Sequence, residues 1–179
     1  GGPPKPVRSV TAVIPAHMQH VLDEVRPLAK AFVAADRPLY LVGGVVRDLM
    51  LGRERPGSAD VDLCTPAHPD EIKRIVAPLA DAVWTQGERF GTIGLRIDGR
   101  DYEITTFRAA SYEPDSRKPE GSYGDTIEVD LSRRDFTVNA MALAVPEPEL
   151  VDPFDGAADL AAGVLRTPLA PEVSFVDDP

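Results

Sequence analysis

Asp60 and Asp62 flank Val61 in the stretch Asp60-Val61-Asp62-Leu63-Cys64, where polar and apolar residues alternate. Alternation with period two predicts a strand, and in a strand residues two apart share a face. The two carboxylates therefore look into one space while Val61 and Leu63 point toward a core. At a separation of about 6 to 7 Å and an effective dielectric of about 20, they repel by about 2 to 3 kcal/mol. A divalent cation reverses that repulsion. Hard oxygen ligands on a rigid element suit Mg²⁺, which binds through one or two carboxylates plus substrate phosphates. Spacing alone describes a solvated Asp-x-Asp at a strand end equally well, so the pair taken by itself leaves both readings open.

Three further groups could act beside it. Gly43-Gly44 follows the apolar run Leu39-Tyr40-Leu41-Val42 and precedes a short helical pattern that contains Arg47 and Asp48. Glycines there let the backbone approach a ligand, and the amides of the following helix can meet a phosphate. A simple tight turn uses the same residues. Glu103 alternates with Tyr102 and Ile104, and it supplies a third carboxylate if its strand neighbours that of Asp62; otherwise it is a solvent-facing glutamate. Arg133-Arg134-Asp135 opens a block in which a helix would put Asp135 and Asn139 on one face, with Phe136, Ala140 and Leu143 toward the core. Two guanidinium groups can clamp a triphosphate, or they are a solvated pair.

The elements that must hold these residues are readable from periodicity and turn residues. Met18, Val21, Leu22, Val25, Leu28, Ala29, Phe32 and Val33 mark one helical face, with Pro27 expected to kink it. A strand over Leu39 to Val42 is followed by a helix from Val45 to Leu51 that stops at Gly52. Pro69-Asp70-Glu71 is favourable first-turn chemistry for a helix that buries Ile72, Ile75, Val76 and Leu79. A third strand covers Ala82 to Thr85, with Trp84 expected in the core. Thr92 to Ile97 and Asp101 to Phe107 flank Asp98-Gly99, a strong hairpin signal. Arg108 to Asp130 reads as a long loop, and Leu131 to Val145 as helical at first and then apolar. Strands and helices that alternate and then give way to a hairpin describe an α/β domain with a mixed sheet.

Composition bounds the functions open to such a chain. Its 179 residues suit one domain with a small appendage, and 43% hydrophobic with 27% charged residues is globular. The apolar runs are too short to span a bilayer, and Gly1-Gly2-Pro3-Pro4-Lys5-Pro6 lacks the apolar block of a signal peptide, so the expectation is a cytoplasmic protein with no membrane partner. Cys64 is the single cysteine and reads as a core thiol. His17, His20 and His68 are not at metal-ligand spacing. A net charge of −10 argues against a strong nucleic-acid grip by this segment alone, since phosphate binding depends on clustered Lys and Arg. The start without Met and the end at Ser174-Phe175-Val176-Asp177-Asp178-Pro179 read as a piece of a longer protein.

Taken in order, Leu41-Val42-Gly43-Gly44-Val45-Val46-Arg47-Asp48-Leu49-Met50-Leu51-Gly52, Asp60-Val61-Asp62, Tyr102-Glu103-Ile104-Thr105-Thr106-Phe107-Arg108 and Asp130-Leu131-Ser132-Arg133-Arg134-Asp135-Phe136-Thr137-Val138-Asn139-Ala140-Met141-Ala142 resemble the head domain of bacterial class II CCA-adding tRNA nucleotidyltransferases and their poly(A) polymerase relatives. The resemblance runs from about Leu39 to Arg166. It implies a polymerase-beta-like fold in which Asp60 and Asp62 bind Mg²⁺, with Glu103 the weakest of the carboxylate assignments. It also implies that Gly43, Gly44, Arg47 and Asp48 meet the incoming nucleotide. Arg133, Arg134, Asp135 and Asn139 would hold the triphosphate and read the ribose, and 108–130 would match a mobile loop. The implied division is an N-terminal extension and helix (1–37), a catalytic head (38–145) and a connector (146–179) to a helical neck. The implied activity is addition of CCA to the tRNA 3′ end from CTP and ATP, with tRNA held mainly outside this chain. Poly(A) addition and a nucleotide-binding module without catalysis are the alternatives.

Overall fold

The computed structural model describes residues 8–9, 16–53, 60–109 and 123–168. Its centre is a mixed sheet of eight strands in the order β1-β8-β7-β2-β3-β6-β5-β4. These are β1 (Arg8–Ser9), β2 (Leu39–Val42), β3 (Val61–Thr65), β4 (Ala82–Trp84), β5 (Thr92–Ile97), β6 (Arg100–Thr106), β7 (Ala142–Val145) and β8 (Glu149–Val151). The helices are α1 (Ala16–Ala34), α2 (Gly44–Met50), α3 (Pro69–Val76), α4 (Ile127–Ser132) and α5 (Gly156–Ala162), with 3₁₀ turns over Glu88–Phe90 and Thr137–Asn139. The expected α/β class with a mixed sheet is the one observed. β3 and β6 form the parallel pair at the middle, and β2 pairs antiparallel with both β3 and β7.

Alternation on the central strands divides the sheet into two faces, as the period of a pleated strand requires. Leu39, Leu41, Val61, Leu63, Ile93, Leu95, Tyr102, Ile104 and Leu143 form one core with Leu22, Val25, Leu28, Phe32 of α1 and Ile72, Val76 of α3. On the other face a smaller cluster joins Val42, Cys64, Phe107, Ala140 and Ala142 to Ile127 and Leu131 of α4. The second face is thus only partly covered, and the polar residues of β3 and β6 open onto the remainder.

The central pair is tied at its C-terminal end by buried hydroxyls. Thr106 Oγ1 donates to the Ala67 carbonyl at 2.8 Å, Thr65 Oγ1 to that of Pro38 at 2.7 Å, and the Phe107 amide to that of Thr65 at 2.8 Å. These bonds lock the register of β3 against β6 and, with it, everything the two strands carry.

α1 runs over Ala16–Ala34 with Pro27 inside it, on its exposed side. Several other expectations are corrected. Val33 is 59% exposed and lies outside the buried stripe. Trp84 is half-buried, its indole lying over Gly94, where an added Cβ would come within 1.9 Å of Nε1. The Asp98-Gly99 turn has φ of 50° and 80° and joins β5 to β6 as the sequence predicts. The helix expected from Leu131 instead starts at Ile127 and ends at Ser132, so its first turn lies inside the stretch read as loop. Thr126 caps it, accepting from the Val129 amide at 3.3 Å, the side-chain capping common at helix starts. Much of the predicted loop, 110–122, lies outside the described residues, as does the tail 169–179.

Candidate active site

β3 and β6 run parallel with Asp62 opposite Glu103, so the register puts these two carboxylates side by side on the open face. The condition left open by the sequence, that the strand of Glu103 neighbour that of Asp62, is met. Tyr102 and Ile104 turn the other way and are buried, and burial pushes the Tyr102 hydroxyl up to about 12. Asp60 precedes β3 and is exposed. Glu103 is held above the usual carboxylate range by burial and by the negative fields of Asp62 and Asp60. Burial is the first cause of that shift, and the two neighbouring aspartates add to it.

The cluster borders a pocket of about 260 Å³ lined by Asp62, Glu103, Thr105, Asp130, Arg133 and Arg134, among others. On its far wall Arg134 Nη2 donates to Asp130 Oδ2 at 3.0 Å, and Arg133 Nη1 donates to the Ala109 carbonyl at 2.8 Å. On the β5–β6 side the hydroxyls of Thr92 and Thr105 lie 2.9 Å apart. Carboxylates and guanidinium groups therefore line one cavity of a size to take phosphate groups.

Gly43 links this pocket to a second group. It caps α2 with φ 73° and ψ −142°, a conformation open in practice only to glycine, and a Cβ there would lie 3.8 Å from Asp62 Oδ2. α2 forms because Val45, Val46 and Leu49 bury one side, which leaves Arg47 and Asp48 on the half-buried other side. Arg47 Nη1 donates to Asn139 Oδ1 at 3.2 Å, and Asn139 Nδ2 donates to Asp135 Oδ1 at 3.1 Å. Arg47 Nε also lies 3.6 Å from Asp48 Oδ1. The Gly-Gly and Arg-Arg-Asp segments, far apart in sequence, are thus joined through side chains. Asp135 and Asn139 meet as expected but not on an α-helix: the chain bends after Ser132 and reaches Asn139 through a 3₁₀ turn.

The oxygen donors suit a hard divalent cation, which would offset the negative fields of Asp62 and Asp60 at Glu103. Among the described residues no three His, Cys, Asp or Glu side chains are arranged to enclose a metal by themselves. Cys64 is fully buried beside this region, with its thiol pushed well up by burial and then by Asp130, so it is a core residue as expected. Sequence reasoning passed over Asp130, although it stands at i, i+4 from Arg134.

The chain is similar to known proteins over most of its length. The family model described as the poly A polymerase head domain matches residues 39–166. The CCA-adding enzyme of Lactobacillus helveticus is 38% identical over 159 residues, covering 88% of this chain and 38% of that enzyme. Among solved structures, the Thermotoga maritima CCA-adding enzyme complexed with tRNA is similar with a TM-score of 0.74 at 31% identity, over 98% of this chain and 39% of that one. The Bacillus stearothermophilus CCA-adding enzyme in complex with CTP is similar with a TM-score of 0.70 at 30% identity, over 92% and 36% of the two chains. The chain spans about two-fifths of the length of these relatives.

Proposed function

The chain belongs to the poly A polymerase head domain family, and we propose that it is the catalytic head of a nucleotidyltransferase that adds CCA to tRNA 3′ ends from CTP and ATP. The observation that carries this reading is the register pairing of Asp62 with Glu103, both lining one pocket with Arg133 and Arg134. The relatives named above add support, because their structures were obtained with CTP and with tRNA.

In the proposed reaction the 3′-hydroxyl of the RNA attacks the α-phosphate of the nucleotide and pyrophosphate leaves. Arg133 and Arg134 bind the triphosphate and fix its orientation, which is most of what phosphoryl-type transfer asks of a protein. Gly43 lets the backbone come close to the nucleotide, and Gly44 opens α2 with amides that have no acceptor within the helix. Asp135 and Asn139 form the side of the site assigned to the ribose, and Arg47 and Asp48, assigned to the nucleotide, join it through the bond of Arg47 to Asn139. Asp60 and Asp62 would hold Mg²⁺, which when bound supplies charge neutralisation at the attacking and leaving oxygens. The division into head (38–145) and connector (146–179) is part of the proposal, with β8 carrying the sheet on to Val151. No helix among the described residues is long and apolar enough to cross a membrane, and we place the reaction in the cytoplasm, where tRNA is used.

The test is primer extension on tRNA lacking its CCA end, with CTP and ATP supplied separately and together, on this chain and on a longer chain that contains it. Growth that stops after CCA supports the reading. Unlimited growth with ATP alone would establish poly(A) addition instead, and Mg²⁺-dependent nucleotide binding without transfer by the longer chain would establish a binding module.

A further inference from the structure

Asp130 is a carboxylate at 3% exposure in the wall of the pocket, and it has two partners of different kinds. Its Oδ2 accepts from Arg134 Nη2 at 3.0 Å, and its Oδ1 accepts from the Arg108 backbone amide at 2.9 Å, where the chain leaves β6. α4 presents it, and the neighbouring Ile127 and Leu131 are packed under the sheet, so the carboxylate has little freedom. A buried carboxylate held by a backbone amide is a fixed anchor, and a charge-assisted bond to it fixes a guanidinium in turn. Asp62 and Glu103 line the same pocket. An untethered Arg134 would have those carboxylates as alternative partners, which would neutralise the groups assigned to the metal and remove a phosphate ligand together.

We propose that Asp130 is a positioning residue that holds Arg134 away from Asp62 and Glu103 and in place for the nucleotide's phosphates. This rests on the reading of the pocket as a triphosphate site. Asp130 touches neither substrate nor metal in this account and acts through Arg134 alone.

The experiment compares equilibrium binding of ATP and AMP, each with Mg²⁺, to the unsubstituted chain, Asp130→Asn, Arg134→Gln and the double variant. Asparagine keeps an oxygen for the Arg108 amide, and glutamine keeps a donor for Asp130, so each substitution preserves one hydrogen bond of the pair. Asp130→Asn is expected to weaken ATP binding about tenfold, the scale of one charged hydrogen bond, while AMP binding stays within about twofold. In the Arg134→Gln background the Asp130 substitution should add nothing, because the residue it positions has gone. An equal loss for ATP and AMP, or a loss that persists in full without Arg134, would overturn the proposal and make Asp130 merely structural. If Asp130→Asn loses its cooperative melt, Arg134→Gln carries the test, and an ATP preference over AMP that is unchanged in it overturns the proposal. Absence of ATP binding by the unsubstituted chain would overturn the reading of the pocket, and the proposal with it.

Discussion

Asp62 and Glu103 stand directly opposite one another in the parallel β3–β6 pair, and the negative fields of Asp62 and Asp60 act on Glu103 together. Neighbouring strands lie about 4.8 Å apart, so side chains in register on one face have no room to avoid each other. The fold holds the acidic groups together, and a strand pairing rather than a loop sets their spacing. This fixes the backbones of Asp62 and Glu103 against one another before any ligand arrives.

The first prediction concerns Glu103 and pH. Its folded-state pKa lies above the ordinary 4.5, so between 4.5 and the raised value the folded chain holds more protons than the unfolded one. Stability contributed by the protonated form is therefore lost as pH rises through that window. Glu103→Gln should raise Tm at pH 7 without divalent ions by about 1 to 2 °C, the shift expected for well under 1 kcal/mol in a domain of this size. The gain should vanish near pH 4, and Mg²⁺ should reduce it at pH 7. A thermal melt at the two pH values decides, and equal gains at both would remove the electrostatic explanation.

Asp60→Asn and Asp62→Asn should each lower nucleotidyl transfer by at least about 1,000-fold, the rate equivalent of about 4 kcal/mol of charge stabilisation. Both residues lie toward the open face and Val61 remains in the core, so the folded state should persist. Single-turnover assays beside circular dichroism separate the two effects. Transfer at the unsubstituted rate by Asp62→Asn would end the assignment.

Gly43→Ala isolates a backbone requirement. An added Cβ would meet Asp62 Oδ2 only at 3.8 Å, an ordinary contact, so space is not what excludes alanine. The positive φ of 73° with ψ −142° is, and holding a residue with a Cβ there costs about 1 to 3 kcal/mol. Urea unfolding should show that loss, with the midpoint moved and the slope unchanged. A neutral result would mean that the turn can relax.

How far the sequence reveals this site differs from residue to residue. Alternation in Asp60-Val61-Asp62 and around Glu103 gives the faces, because period two is local, whereas their pairing depends on strand order, which no local pattern encodes. Asp98-Gly99 gives its hairpin because a two-residue turn is itself local. α4 escapes because six residues are too few to show a period, and its first turn lies against a polar, proline-rich stretch. The Arg47 to Asn139 bond could not be inferred from spacing at all, since it spans 92 positions and depends on the 3₁₀ turn over Thr137–Asn139.

That bond supports a separate prediction. Asn139 accepts from Arg47 and donates to Asp135, so Asn139→Ala removes a link between Arg47 and the ribose side. Loss of hydrogen bonds that involve charged groups should raise the nucleotide KM by about tenfold. If the side chain reads the ribose, the preference for ATP over dATP should narrow by a similar factor. An Asn139→Ala enzyme whose ATP to dATP ratio is unchanged would restrict the residue to holding Arg47.

Base selection should be weak in this chain on its own. The pocket is lined by Asp62, Glu103, Asp130, Arg108, Arg133 and Arg134 with two threonine hydroxyls. These are groups that bind phosphate and cations, which CTP and ATP share. Discrimination between cytosine and adenine requires donors and acceptors matched to a base edge. ATP and CTP should therefore bind the 179-residue chain with dissociation constants within about threefold of each other, a difference of under about 0.7 kcal/mol. The net charge of −10 adds that binding to tRNA lacking CCA should be weak at physiological salt and strengthen little on dilution of the salt. Titration calorimetry with each nucleotide gives the first measurement and a salt series of tRNA binding the second. A tenfold preference for either nucleotide would place base-reading groups within this chain.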